Sequence, residues 1–148
     1  VLDSVSDCDI FISAAAISDY KPSDTLAEKH KSSDGDLNIK LVRGEDILKT
    51  AKLKNKNVFA VGFSAETKNI EENAKAKLVS KKIDMIIANE ANHQKGLGFE
   101  SDYNQVVIIN ESETTTIPRN SKKELAKIII HKIVSIYKKN LLKIKNAW

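Results

Sequence analysis

Two apolar segments that end in small residues constrain the fold of this chain more than any other feature. Residues 58–67 read Val-Phe-Ala-Val-Gly-Phe-Ser-Ala-Glu-Thr, which indicates a buried strand that turns at its Gly-Phe pair and leads into a helix opened by Glu-Thr. Residues 10–20 have the same design, with Asp19 as their one charged side chain. In an α/β sheet, strand ends of this kind place backbone amides and helix starts around a ligand crevice. The two segments together predict a nucleotide pocket.

Strand and helix patterns alternate along the chain. Strands are predicted over residues 9–15, 37–42, 58–63 and 83–88, helices over 45–53 and 70–82, a hairpin over 105–117, and a long amphipathic helix after Ser121. The alternation is typical of a Rossmann-like α/β fold with a doubly wound, mainly parallel sheet, to which the hairpin adds antiparallel strands at one edge. Residues 24–36 and 93–103 have no apolar period, so they are predicted to be loops.

Composition limits the classes of protein to which the chain can belong. Its 148 residues suffice for one domain with its own core, and its 41% hydrophobic and 30% charged residues are ordinary for a globular protein. No apolar run approaches the roughly 18 residues that cross a membrane, and residues 1–4 do not resemble a signal peptide. The single Cys8 excludes an internal disulfide and a cysteine-built zinc site. We therefore expect a cytoplasmic protein with no membrane partner.

The charge of the chain does not predict a nucleic-acid partner. Its net charge is +4, from 24 Lys and Arg residues against 20 Asp and Glu residues, which is too small an excess for that conclusion. Many lysines fall in the final segment 122–145. They fit either a solvated helix face or the binding of an anionic small molecule.

Three lysines are candidates for binding phosphate groups. Lys77 and Lys81 are four residues apart on the predicted helix 70–82, so they share one face. Lys29 lies in the polar loop, from which it would close over a reacting phosphate and exclude water. Ammonium groups are suited to stabilising the charge that develops on a leaving pyrophosphate. The alternative for Lys77 and Lys81 is a solvent-facing pair.

Three further residues have two interpretations each. Asp19 contacts a ligand or Mg²⁺, or it forms a turn. Asp46 belongs to the pocket, or it caps a short helix. Phe63 stacks on a base, or it packs in the core. The three histidines are far apart and lack the spacing of metal ligands, so a histidine-built metal site is not expected.

A series of short motifs carries a resemblance to a known family. The motifs are Ala-Ala-Ala-Ile-Ser-Asp-Tyr at 14–20, Glu-Lys-His-Lys at 28–31, Asp-Ile-Leu at 46–48, Gly-Phe-Ser-Ala-Glu-Thr at 62–67, Lys-x-x-x-Lys-x-x-Asp at 77–84, Ala-Asn at 88–89 and Gly-Phe-x-Ser-Asp-x-Asn at 98–104. From about residue 9 to residue 137, their order and spacing resemble phosphopantothenoylcysteine synthetase. In bacteria this enzyme is often fused behind a phosphopantothenoylcysteine decarboxylase.

The resemblance implies a ligase of coenzyme A biosynthesis. Such an enzyme joins 4′-phosphopantothenate to L-cysteine with CTP and Mg²⁺, through an acyl-cytidylate, and works as a homodimer to which the 105–117 hairpin contributes. Residues 1–148 would be the C-terminal portion of the ligase domain, because the Gly-rich opening of the family is absent before Val1. FMN would be a cofactor only if a decarboxylase domain were fused to the native protein.

The resemblance also assigns site residues by their positions in the motifs. Those assigned to nucleotide binding are Ser13, Ala14, Ala15, Asp19, Lys29, Glu45, Asp46, Ile47, Leu48, Phe63, Lys77 and Lys81. Lys29 would also be catalytic, as the lysine of a flexible loop associated with turnover of the acyl-cytidylate. Four positions depart from the family pattern. The loop motif at 29–32 lacks one usual cation, Gly-Glu-Asp at 44–46 replaces Asn-Pro-Asp, Ser64 replaces an alanine, and Ala-Asn-Glu at 88–90 replaces Ala-Asn-Asp.

Two other classes stay open from the residues alone. A Rossmann-like oxidoreductase that binds a dinucleotide would need a G-x-G-x-x-G turn, which this sequence does not contain. A non-catalytic module that binds nucleotides or nucleic acid would use the basic C-terminal helix, and its binding to nucleic acid would depend steeply on salt.

Overall fold

A five-stranded sheet forms the centre of the computed structural model, which describes residues 1–25, 28, 35–90 and 101–145. In chain order the strands are β1 (Ile10–Ser13), β2 (Tyr20–Pro22), β3 (Leu41–Arg43), β4 (Phe59–Glu66), β5 (Met85–Glu90), β6 (Tyr103–Asn110) and β7 (Thr114–Ser121). The helices are α1 (Ile47–Lys54), α2 (Ile70–Lys81) and α3 (Lys122–Lys145). Most of the two predicted loops, 24–36 and 93–103, lies outside the described residues.

The strand order of the sheet is β1-β4-β5-β6-β7. Strand β4 pairs in parallel with β1 and with β5, whereas β6 and β7 form an antiparallel hairpin beside β5. Strands β2 and β3 pair with each other in a separate two-stranded sheet. The predicted Rossmann-like fold with an antiparallel edge hairpin is confirmed. Because β1, β4 and β5 run in parallel, their carboxyl ends meet at one edge.

Helices cover both faces of the sheet. On one face, α1 and α2 bury Leu48, Ala51, Ala74 and Leu78 against alternate residues of β4 and β5. On the other face, the inner side of α3 packs on the remaining alternate residues, through Leu125, Ile129 and Ile133. Strands β4 and β5 are therefore buried on both sides over most of their length, as their continuous apolar sequences predict.

Strand β4 is longer than its sequence predicted. It continues through Glu66, and the next helix begins at Ile70, so the expected turn at Gly62 and helix start at Glu66 are wrong. The reason is the parallel ladder with β5, which runs on to the Glu66–Glu90 pair and keeps the backbone of β4 extended. Gly62 serves packing instead. A Cβ atom there would lie 2.7 Å from Leu48 Cδ2 and 3.0 Å from Ile83 Cδ1.

We expect Gly62→Ala to lower the free energy of unfolding by about 1 kcal/mol, because Leu48 and Ile83 must move away from the new methyl group. Urea denaturation followed by circular dichroism measures this change. Gly44→Ala is the matched control, since its Cβ would lie no closer than 3.5 Å to any of its neighbours, Ser18 O being the nearest, which is an ordinary contact. An unchanged or higher unfolding midpoint for Gly62→Ala would contradict the packing argument.

Candidate functional site

The carboxyl ends of β1 and β4, together with the start of α1 and one side of α2, enclose a cleft of about 230 Å³. All of the predicted nucleotide-binding residues line this cleft except Ala14, which lines a neighbouring cavity, and Lys29, which lies outside the described residues. The structure thus brings together side chains that are up to 68 positions apart, from Ser13 to Lys81.

Small residues and local hydrogen bonds shape the wall of the cleft. Ser18 Oγ donates to Tyr20 O (2.7 Å) and accepts from Tyr20 N (3.2 Å), which bends the chain after β1. Asp19 O then accepts from Gly44 N (2.8 Å), so this bend is tied to the segment before α1. Ser18, like Ser64, lines the cleft but was not singled out from the sequence, because a hydroxyl in a run of small residues has no distinctive pattern.

Asp46 has both of the roles between which the sequence left a choice. Its Oδ1 accepts from Lys49 N (3.1 Å) as the N-cap of α1, and its Oδ2 accepts from Lys81 Nζ (2.7 Å). Burial alone would raise the pKa of this carboxyl, but the hydrogen bonds from Lys81 and Lys49 outweigh it and hold the pKa below its usual range. Asp46 therefore stays charged at neutral pH and keeps Lys81 at the mouth of the cleft.

Lys77 belongs to a cluster at the wall of the cleft rather than to a solvent-facing pair. Its Nζ donates to Glu66 Oε1 (2.5 Å) and to Ser64 Oγ (2.9 Å). Ser64 Oγ also donates to Glu66 Oε1, and Asn73 Nδ2 donates to Glu66 Oε2 (3.2 Å). Burial would raise the pKa of Glu66, but the hydrogen bonds from Lys77 and Ser64 prevail and lower it. Glu66 is therefore an anion at neutral pH.

Phe63 lines both the cleft and a second cavity of about 510 Å³ on the α3 side of the sheet. Its side chain is 40% exposed, so the interpretation of Phe63 as a core residue is wrong. The second cavity has aliphatic walls from β1, β6 and α3, and its polar lining residues are Ser64, Asn89, Asn104 and Lys122. Because the two cavities share the ends of β1 and β4, a ligand that fills both would have its middle atoms against these strand ends.

None of the helices in the ranges given above is both long and apolar enough to cross a membrane. Within the same ranges, no three His, Cys, Asp or Glu side chains form a group that could hold a metal ion by themselves.

Comparison with known proteins gives consistent matches over most of the chain. Residues 1–137 match the family described as the DNA/pantothenate metabolism flavoprotein C-terminal domain. The coenzyme A biosynthesis bifunctional protein CoaBC of Haemophilus influenzae is 36% identical over 141 residues, which are 95% of this chain and 35% of that protein. The protein of the same name from Escherichia coli is 37% identical over 138 residues, covering 90% of this chain and 34% of its own length.

A solved structure agrees with these matches. The crystal structure of the C-terminal domain of CoaBC superposes with a TM-score of 0.72 at 29% identity, covering 93% of this chain and 59% of that chain. The chain spans about a third of the length of the curated relatives that it matches. The resemblance to the synthetase part of CoaBC is confirmed, and the chain belongs to the family of the DNA/pantothenate metabolism flavoprotein C-terminal domain.

Proposed function

We propose that residues 1–148 form part of a phosphopantothenate–cysteine ligase that acts in coenzyme A biosynthesis, in the cytoplasm. The observation that carries this proposal is the cleft itself, in which Lys77 and Lys81 meet the ends of two parallel strands. Two ammonium groups at such an edge suit a nucleoside triphosphate, whose phosphates concentrate negative charge. The relatives named for coenzyme A biosynthesis support the choice of pathway.

The proposed reaction has two steps. A carboxylate oxygen of 4′-phosphopantothenate attacks the α-phosphorus of CTP, so that an acyl-cytidylate forms and pyrophosphate leaves. The amino group of L-cysteine then attacks the acyl carbon, an amide bond forms, CMP leaves and the amine proton passes to water. Lys77 and Lys81 stabilise the charge on the phosphates in the first step. Lys29 lies outside the described residues, and we assign it to the second step on its motif alone.

Charge in the cleft favours CTP that carries a divalent cation. Among the described residues that line it, Asp19, Glu45 and Asp46 oppose Lys77 and Lys81, so the protein charges do not neutralise a triphosphate. Mg²⁺ usually binds to substrate phosphates with one or two carboxylates and retains water, and Asp19, which lines the cleft just before β2, fits that role. When bound, Mg²⁺ would supply charge neutralisation on the phosphates.

We assign 4′-phosphopantothenate to the second cavity. Its aliphatic walls suit the dimethyl part of the pantoyl group, Asn89 and Asn104 can bond the amide and hydroxyl groups, and Lys122 supplies a cation for the phosphate. The carboxylate end would then reach Phe63 and the α-phosphate of CTP in the adjoining cleft. L-cysteine is the third substrate.

A second copy of the chain is the proposed macromolecular partner. Strand β7 pairs only with β6 among the described strands, so the predicted hairpin presents an edge for pairing. The β2–β3 sheet also exposes apolar side chains, with Tyr20 at 59% and Leu41 at 56%. A two-stranded sheet is only marginally stable unless another surface covers it, and a homodimer would supply that surface.

A fused decarboxylase domain that binds FMN is a further part of the proposed function. The relatives are named as bifunctional proteins, which supports a second domain in the same polypeptide.

Calorimetric titration with Mg²⁺-CTP and with Mg²⁺-ATP tests the proposed nucleotide. We expect CTP to bind at least about 10-fold more tightly, a difference of about 1.4 kcal/mol that one or two base contacts can supply. Equal affinities would remove the CTP assignment. If the native-length polypeptide bound neither nucleotide, the proposed ligase would be wrong.

A further inference from the structure

The buried carboxylate of Glu66 controls where the ammonium group of Lys77 lies. The Glu66 side chain is only 10% exposed and does not line the cleft, whereas the Lys77 side chain is 43% exposed and does. Glu66 Oε1 accepts from both Lys77 Nζ and Ser64 Oγ, and its Oε2 accepts from Asn73 Nδ2. Because all of the donors converge on one buried anion, the lysine has a defined position rather than the many rotamers of a surface lysine.

This cluster leaves Lys77 able to bind a ligand. An ammonium group has three N–H donors, of which Glu66 and Ser64 take two in the described part of the chain. Lys77 lines the cleft, so its third donor is available to a phosphate oxygen there.

We propose that Glu66 is a positioning residue, which with Ser64 holds the Lys77 ammonium group at the point in the cleft where a nucleotide phosphate binds. The inference rests on the proposed function, because that function supplies the phosphate. Glu66 itself does not line the cleft, and its positioning role is exerted through Lys77. The same hydrogen bonds join β4 to α2, and they would do so even if Glu66 served the fold alone. The experiments must therefore separate positioning of Lys77 from stabilisation of the fold.

Two opposing effects decide the result of Glu66→Gln. Loss of the anion frees the lysine side chain, and fixing it again on binding costs roughly a factor of 10 in affinity. Loss of the anion also removes a negative charge one side chain away from the phosphates, which at high effective dielectric gains about a factor of three. Ordering is the larger effect, so we expect Mg²⁺-CTP to bind about threefold more weakly.

The first measurement needs no nucleotide. Limited modification with an amine-reactive reagent, followed by mass spectrometry, gives the reactivity of Lys77 relative to Lys75, which lies on the same helix. We expect Glu66→Gln to raise this ratio about fivefold, because the charge-assisted hydrogen bonds that hold the amine are lost or weakened. Ser64→Ala should raise it less, and it serves if Glu66→Gln does not fold. Glu72→Gln is the matched control, since Glu72 is an exposed carboxylate in the first turn of the same helix and its replacement leaves the Lys75–Glu71 ion pair in place.

The second measurement is a double-mutant cycle on Mg²⁺-CTP affinity with Glu66→Gln and Lys77→Met. If Glu66 positions Lys77, the weakening caused by Glu66→Gln disappears once Lys77 is replaced, and only the gain of about threefold from the removed negative charge remains. CMP affinity should hardly change in Glu66→Gln, whereas a general disturbance of the cleft would lower it equally.

The outcomes separate the two proposals. An unchanged Lys77 reactivity ratio, an increased CTP affinity in Glu66→Gln, or additive effects in the cycle would overturn the positioning role of Glu66. Absence of CTP binding by the unmodified native-length protein, with the reactivity ratio raised in Glu66→Gln, would overturn the proposed function and, with it, the phosphate part of this inference.

Discussion

Replacing Lys77 by Met is expected to weaken Mg²⁺-CTP binding about 100-fold, which corresponds to about 2.7 kcal/mol for a charge-assisted contact to phosphate. The ammonium group lines the cleft and is already held by Glu66 and Ser64. Its side chain therefore loses little conformational entropy when the phosphate binds. CMP carries one phosphate instead of three, and we expect its affinity to fall less than about threefold. The Lys77→Met variant therefore distinguishes the contribution of the triphosphate to affinity from the contribution of the base and sugar.

Calorimetry on Lys77→Met with both nucleotides measures the two affinities. Lys75→Met is the matched control, because Lys75 lies two residues away on α2 and, within the described ranges, makes only an exposed 3.7 Å ion pair with Glu71. Equal losses for CTP and CMP would mean that the variant disturbs the whole cleft. An unchanged CTP affinity would remove Lys77 from the phosphate site and leave its cluster with Glu66 as a feature of the fold.

The position of the cleft could be predicted from the sequence because it depends on a general property of parallel sheets. Buried strands that alternate with helices pair in parallel, and parallel strands end at the same edge, so Ser13 and Phe63 had to come close together. The spacing of Lys77 and Lys81 likewise fixes a shared helix face. These inferences need only the periodicity of apolar residues within each segment, which is a local property of the sequence.

The partners of those lysines could not be predicted in the same way. The pairing of Lys81 with Asp46 joins residues 35 apart and depends on how α1 and α2 lie beside each other. The Lys77–Glu66 pair depends on β4 continuing past Gly62, where local pattern indicated a turn and the ladder with β5 prevailed. Tertiary pairing decides such cases because a ladder stabilises every added residue.

Asp84 shows that a motif residue can serve the fold instead of the site. In the motif at 77–84 it follows the two lysines, but its Oδ2 accepts from Lys52 Nζ (2.7 Å) and from Ala60 N (2.8 Å). Lys52 Nζ also donates to Val58 O (2.6 Å), so one partly buried ion pair connects α1, β4 and the start of β5. This pair lies near the amino ends of the strands, opposite the edge that holds the cleft.

We therefore expect Asp84→Ala to lower the free energy of unfolding by about 3 kcal/mol. The substitution leaves the Lys52 ammonium group and the Ala60 amide without their carboxylate acceptor, and both groups are shielded from water. A loss of this size lowers the thermal midpoint by about 10 °C in a chain of this length. Below the unfolding transition, CTP affinity should stay within about twofold of the original, because no atom of the cleft is changed. Thermal unfolding and calorimetry on the same variant measure the two quantities.

Glu71→Ala is the matched control for the loss of stability expected in Asp84→Ala. It also removes a carboxylate from an ion pair with a lysine, but both side chains of that pair are more than half exposed, so we expect a change of less than about 0.5 kcal/mol. If Asp84→Ala destabilised the protein no more than Glu71→Ala, the Lys52–Asp84 pair would not join the helix to the sheet as described. If Asp84→Ala instead lost CTP affinity while its midpoint held, the residue would belong to the site after all. Since Asp84 bonds only Lys52 and Ala60 among the described residues, the expected outcome is a loss of stability with binding retained.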